Sequence, residues 1–179
     1  VWTGEVTAYR FNPETLRTEA EPIWKASEAL EQVVANGERK VYTLDDRSNA
    51  FEITERNTPE QWFDDLTPDQ QAALTLPGES EERVVARLAY LLGDQSQEEV
   101  NGGPFRNRES LLGDIINSSA VYVGNGDLDW GFNNLSNAFG GASSSYSQYL
   151  VDSETRQKMV YVGANDGMLH GFDEATGAE

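Results

Sequence analysis

The first eleven residues, VWTGEVTAYRF, alternate between β-forming and polar positions and predict a strand. The pattern changes in PIWKASEALEQVV (22–34). Ile23, Leu30 and Val34 fall near one helical face there, and Pro22 suits a first helical turn, so a helix is expected. Asn36-Gly37 stops it. Residues 40–44 and 50–54 read as two short strands around the turn formers Asp45 to Asn49. Thr58-Pro59-Glu60-Gln61 and Thr67-Pro68-Asp69-Gln70 each place a hydroxyl at a helix N-cap, Pro next, and Gln three residues after the cap. Both predict capping boxes. A third helix is expected over 81–92, with Val84, Leu88, Leu91 and Leu92 on its buried face and Gly93 ending it. From residue 111 the pattern turns to β, with short apolar runs at Ile115-Ile116 and 120–124. Residues 125–147 are rich in Gly, Asn and Ser and predict a long exposed loop.

A repeat organises these elements. Val121-Tyr122-Val123-Gly124 recurs 39 residues later as Val160-Tyr161-Val162-Gly163, close to the roughly 40 to 50 residues of a propeller blade. A weaker echo relates residues 4–9 to 167–172. Both alternations of the Val160 run are apolar, as in a blade covered on both faces by its neighbours. Asn165-Asp166-Gly167 supplies the positive-φ chemistry of a tight hairpin, and Gly171 suits a close approach of adjacent sheets. Residues 173–177 turn the chain toward a further strand, so the opening portion of a circular assembly is expected, with its last strand at an edge. The fold class expected is mainly β with a helical insertion, an α+β fragment holding the opening blades of a quinoprotein-like propeller. Its parts are first strands and helix over 1–54, the helical insertion over 55–100, and blade strands over 101–179.

Charge narrows the partners. The 179 residues carry 31 Asp and Glu against 13 Lys and Arg, a formal net charge of -18. Phosphate binding needs a basic patch, so nucleic acid is a poor partner, and so is an anionic membrane surface. The acidity fits a solvated surface that keeps the chain soluble, or a saline habitat. Divalent-cation binding needs clustered carboxylates rather than a high total. No cysteine is present, which removes disulfides and thiolate chemistry from this chain. No apolar run approaches the roughly 18 residues of a membrane span. No signal peptide opens the sequence, and with Val1 rather than Met at its start an excerpt is expected.

Few residues promise chemistry. Asn125, Asp127 and Asp129 place oxygen ligands at the first, third and fifth positions of a loop, but Trp130 stands where a calcium loop needs Gly and Ser136 where it needs Glu. His170, the single histidine, has the choice of acting as base or ligand or of packing between blades with a backbone partner; the packing role is expected. Asp166 and Asp173 bracket its strand and are expected to accept backbone hydrogen bonds. Arg106, Arg108 and Asp114 are expected to form a structural ion-pair cluster. No phosphate-binding glycine loop, nucleophile elbow or HExxH motif is present, and no enzymatic role is expected.

Residues 160–179, VYVGANDGMLHGFDEATGAE, resemble the signature of the PilC/PilY proteins of type IV pili. Phe105-Arg106-Asn107-Arg108, followed by Leu112-Gly113-Asp114-Ile115-Ile116-Asn117-Ser118, is similar to that family's segment leading into its propeller. Trp2-Thr3-Gly4 and Tyr9 fit as well. The resemblance marks as signature positions Phe105, Arg106, Arg108, Leu112, Gly113, Asp114, Asn117, Ser118, Gly163, Asn165, Asp166, Gly167, His170, Asp173 and Gly177, with a structural role expected. It implies an exported protein of a Gram-negative bacterium, found at the pilus tip, outer membrane surface or periplasm. The implied role is a non-catalytic adhesin and regulator of pilus assembly, extension and retraction. The implied partners are pilins or minor pilins, with host-cell or abiotic surfaces. Calcium is implied for the full propeller, in an Asp-rich loop placed beyond Glu179, and no cofactor for this stretch. Tyr90-Leu91-Leu92-Gly93-Asp94 sits where members often carry Tyr-Leu-Arg-Gly-Asp, and Leu92 cannot supply a guanidinium. The competing reading is a propeller fragment of a quinoprotein dehydrogenase, whose blades share a similar Val-Tyr-Val-Gly hairpin. A scaffold without a ligand of its own is the third.

Overall fold

The structure, a computed structural model, describes residues 4–124 and 152–179. It combines helices with small antiparallel sheets, and no closed barrel forms among the described residues. The chain divides into two compact units, residues 1–29 with 112–179, and residues 30–111.

The first unit holds two sheets. Strands β1 (Thr7–Asn12) and β2 (Arg17–Lys25) form an antiparallel ribbon. Sequence pattern places a helix from residue 22, but β2 continues to Lys25 and helix α1 (Ala26–Ala35) starts only there. The reason is alternation. Trp24 points inward and is buried while Ile23 is half exposed, a period of two that a helix cannot satisfy. Pro22, which has no N–H to give, sits opposite Tyr9 at a ladder irregularity. The buried stripe of α1 is accordingly Ala26, Leu30 and Val33.

The second sheet has the order β5 (Val121–Val123), β6 (Met159–Gly163), β7 (Leu169–Asp173), antiparallel throughout. The repeated Val-Tyr-Val strings are therefore neighbours, with Tyr122 opposite Val160. Val162 and His170 pair across β6 and β7, and Val160 pairs with Phe172. This face carries the buried residues Val162, His170 and Phe172. Trp24 covers it, its ring 6.2 Å from that of Phe172. On the opposite face the bare backbone of Gly171 is filled by the ring of Tyr161 on the paired strand, 2.8 Å from where a Cβ would stand. The close approach expected of Gly171 is thus made by a cross-strand side chain. Ile115 and Ile116, expected in an apolar β run, lie outside any strand.

In the second unit, β3 (Tyr42–Leu44) and β4 (Ala50–Glu52) form a short hairpin, and residues 53–55 make a 3-10 turn rather than extending the strand. Helices α2 (Pro59–Asp64), α3 (Pro68–Leu74) and α4 (Glu81–Leu91) follow. Thr67 and Gln70 complete a reciprocal capping box. Thr58 caps α2 through the N–H of Gln61, but the Gln61 side chain accepts from Asn57 instead of from the cap residue, so this box is open. Ile53, Leu66, Leu88 and Leu92 form the core, flanked by Trp62 and Phe63.

Candidate functional site

The signature residues gather at two places. In the first unit they meet around the turn between β6 and β7. Ala164 donates to the carbonyl of Met168 at 3.1 Å, and Gly167 to that of Ala164 at 3.3 Å. Gly167 has φ +88°, while Asn165 and Asp166 stay at negative φ. This is a three-residue hairpin loop over Asn165-Asp166-Gly167, closed by a left-handed glycine. The lead-in segment lies along it. Gly163 N–H donates to Ser118 Oγ at 3.2 Å and Asn165 N–H to the Asp114 carbonyl at 2.8 Å. A Cβ on Gly113 would stand 2.6 Å from Asp166 Oδ2, so only glycine lets the two segments touch there. Leu112 is buried, and Asn117 takes a left-handed turn at φ +59°.

Asp166 ties this node together. Its Oδ1 accepts from Met168 N–H at 2.9 Å, and its Oδ2 lies 2.9 Å from His170 Nε2. Glu179 Oε1 lies 2.5 Å from the other ring nitrogen, Nδ1. The backbone partner expected for His170 is replaced by two carboxylates. Its side chain is fully buried, stacked 6.1 Å from Phe172 at an interplanar angle of 5°. Burial by itself lowers the basicity of an imidazole, but the hydrogen bonds and charges of Asp166 and Glu179 outweigh it and push the pKa up to about 9. At neutral pH both nitrogens therefore carry protons and both donate. An imidazolium so committed has no lone pair for general-base or ligand chemistry.

Asp173 closes the same region. Its Oδ1 accepts from Ala175 N–H, Thr176 N–H and the Thr176 hydroxyl at 2.9–3.0 Å, as its place at a turn predicts. Burial raises its pKa, but these donors and the Gln157 amide hold it below the usual carboxylate value. Gly177, at φ +72°, passes under the indole of Trp24, leaving no room for a side chain.

The second gathering lies in the other unit, around Phe105, Arg106 and Arg108. Arg108 Nε donates to Glu98 at 2.8 Å, its two terminal nitrogens to the Tyr90 and Asp94 carbonyls at 2.6 and 2.8 Å, and its backbone N–H to Glu98. Its guanidinium lies 3.8 Å from the centre of the Tyr90 ring. Tyr90 stacks on Phe105 at 4.8 Å and donates its hydroxyl to the Arg106 carbonyl. The expected cluster of Arg106, Arg108 and Asp114 does not form: the charged partner of Arg108 is Glu98. Sequence reading missed Glu98 because one acid among many in a polar stretch carries no periodic signal. Leu92, at the Arg position of the Arg-Gly-Asp string, is a core residue.

A groove of about 600 Å³ runs beside α4, lined by Glu60, Glu81, Glu82, Val85, Ala89 and Asp94 among others. Glu81 and Glu82 lie in the first turn of α4, where the helix dipole stabilises acids. No group of three or more acidic or histidine side chains able to hold a metal occurs among the described residues. Asn125, Asp127 and Asp129 lie outside the described residues, as do Trp2 and Thr3. No described helix is long and apolar enough to cross a membrane.

Comparison with known proteins identifies relatives of this chain. Residues 112–179 match the model of the PilY1 beta-propeller domain. The type IV pilus biogenesis factor PilY1 of Pseudomonas aeruginosa strain PAK is 33% identical over 177 residues, covering 96% of this chain and 14% of that protein. Two PilY1 homologs of Xylella fastidiosa strain Temecula1 are 46% identical over 95 residues and 31% identical over 196, spanning 52% and 97% of this chain and 7% and 13% of theirs. This chain thus spans about one seventh or less of the length of these curated relatives. No solved structure matches it. The match to the PilY1 propeller domain, together with similarity running along almost the whole of this chain, places this protein in the PilC/PilY family.

Proposed function

We propose that this chain is a non-catalytic part of a type IV pilus biogenesis factor, contributing to pilus assembly and to control of extension and retraction. In this reading β5, β6 and β7 are strands of one propeller blade, and the helices over 55–100 are an insertion into the propeller region. The partners are pilins or minor pilins, and the full protein acts as an adhesin toward host-cell or abiotic surfaces. Its place is the pilus tip, the outer membrane surface or the periplasm. The observation that carries the reading is that nearly all of this chain is similar to a segment of proteins named as type IV pilus biogenesis factors. The commitment of both His170 nitrogens to carboxylates supports a structural rather than catalytic use of the chain's one histidine.

The test is an in-frame chromosomal deletion of the codons for residues 1–179 in the parent bacterium, with immunoblotting to verify export of the shortened protein. Surface pili counted by electron microscopy, twitching, and attachment to glass are expected to be lost. Normal piliation, twitching and attachment with the deletion in place would overturn the proposal. Alcohol oxidation by the intact protein supplied with quinone and calcium would favour the quinoprotein dehydrogenase instead.

A further inference from the structure

Helix α4 sorts its side chains onto three sides. Val84 and Leu88 are buried, and Leu88 joins the core with Leu92. Arg83 and Arg87 are engaged elsewhere. Both terminal nitrogens of Arg87 donate to the Glu79 carboxylate, and Arg83 Nε lies 3.9 Å from it. The guanidinium of Arg83 also stands 5.2 Å from the centre of the Phe105 ring. The third side holds Glu81, Glu82, Val85, Ala86 and Ala89, which share one helical face. These residues line the groove of about 600 Å³ together with Pro59 and Glu60 of α2 and with Asp94. The groove lies wholly within the second unit.

Its floor and its charge are both one-sided. Val85 and Ala89 are only 6% and 4% exposed and give an apolar floor. Four acids stand among the lining residues and no Lys or Arg does. Glu60 and Glu81 have no ion-pair partner among the described residues. Asp94 accepts from the N–H and hydroxyl of Ser96, donors that carry no charge. The cations of α4 itself are committed to Glu79, so nothing on the helix neutralises this face. A cleft lined by one sign of charge over low-dielectric walls concentrates its field on an incoming opposite charge. We propose that this groove is a docking site for a basic segment of a partner protein, with Lys or Arg stems over Val85, Ala86 and Ala89 and their cationic heads at Glu60, Glu81, Glu82 and Asp94. The match is one of chemistry: long cationic side chains cover apolar surface with their methylenes and keep the charge at the end. A metal ion gains nothing from the floor, and a neutral segment gains nothing from the acids. A second copy of this chain, at a formal charge of -18, is repelled.

The experiment is NMR of the chain with carbon-13 in the Val and Ala methyl groups, titrated with a tetralysine peptide blocked at both ends, in about 0.1 M salt to screen diffuse attraction. The methyls of Val85, Ala86 and Ala89 are expected to shift together and saturate, while those of exposed Val100 stay in place. The double variant Glu81→Gln, Glu82→Gln is expected to weaken binding about fivefold or more. Glu14→Gln, Glu21→Gln removes the same charge from exposed positions of the β1–β2 ribbon and is expected to change it less than about twofold. Ala86→Arg places a cation of the chain's own in the groove and is expected to weaken binding about tenfold or more; it decides the matter should the first double variant not fold. Shifts spread over many methyls without saturation, equal losses in the two double variants, or undiminished binding to Ala86→Arg would each overturn the proposal. Spermidine moving the same methyls as tightly as tetralysine would make the occupant a polyamine and overturn the assignment to a protein segment.

Discussion

Arg108 gives three side-chain donors to three different acceptors, the Glu98 carboxylate and the carbonyls of Tyr90 and Asp94. Its side chain is only 11% exposed and that of Glu98 3%. Burial of this kind makes the pair costly to break rather than generous to form, because the survivor is a desolvated charge. Arg108→Ala is therefore expected to destabilise the chain by about 3–5 kcal/mol. Arg108→Lys keeps a charge for Glu98 but forfeits the fork that reaches both carbonyls, at a cost of roughly 1–3 kcal/mol. Urea unfolding of both variants checks the order, and equal stability of wild type and Arg108→Ala would show the pair to be idle. At this scale the sequence was half legible. Arg108 stands out as a guanidinium in a loop, and a structural ion pair there is a sound expectation. Its acid is not readable, since the chain offers 31 and only the path of the loop selects one. His170 is similar: its isolation argues against a metal site, but nothing local points to Glu179, nine residues on across a turn.

Elements were legible where their signals are local. Pro, Thr and Gln at fixed offsets place the starts of α2 and α3, and the apolar spacing places α4 to within a residue. The hairpin of β6 and β7 follows from its apolar run and Gly167. The start of α1 did not follow, because the partner that keeps residues 22–25 extended is β1, some fifteen residues away. The two caps show that the same motif does not give the same bonds. Around Thr67, the N–H of the cap residue donates to Gln70 Oε1 at 2.8 Å, and Gln70 Nε2 also donates to Thr43 Oγ1 and the Leu44 carbonyl. Around Thr58 the hydroxyl accepts at 3.5 Å, the far limit of a hydrogen bond, and the Gln61 side chain serves Asn57. Thr67→Ala is expected to cost about 1 kcal/mol and Thr58→Ala roughly half or less. Chemical denaturation of the two variants side by side measures the difference; a larger loss at Thr58 would mean that the reciprocal bond adds nothing.

At the scale of the whole molecule the dominant fact is the excess of acid, a formal charge of -18 on 179 residues. This is legible from composition alone, since a sum needs no geometry. Several cations are already spent locally, in the pairs Lys25 with Glu28, Arg56 with Asp65, Arg87 with Glu79 and Arg108 with Glu98. Salt acts on these two populations in opposite directions. It weakens the exposed pairs, such as Lys25 with Glu28, but each of those is worth at most about 1 kcal/mol. It also screens the mutual repulsion of the surplus carboxylates, whose reach at low salt exceeds the roughly 10 Å Debye length of 0.1 M. Repulsion is long-ranged and shared by many groups, the pairs are short-ranged and few, so screening wins. Raising sodium chloride from about 10 to 150 mM is expected to stabilise the fold by about 1 kcal/mol, which is roughly 2–4 °C in Tm for a chain of this size. Scanning calorimetry across that range reads it directly. A Tm that falls with salt would mean that the ion pairs, and not the surplus charge, set the electrostatic balance of this protein.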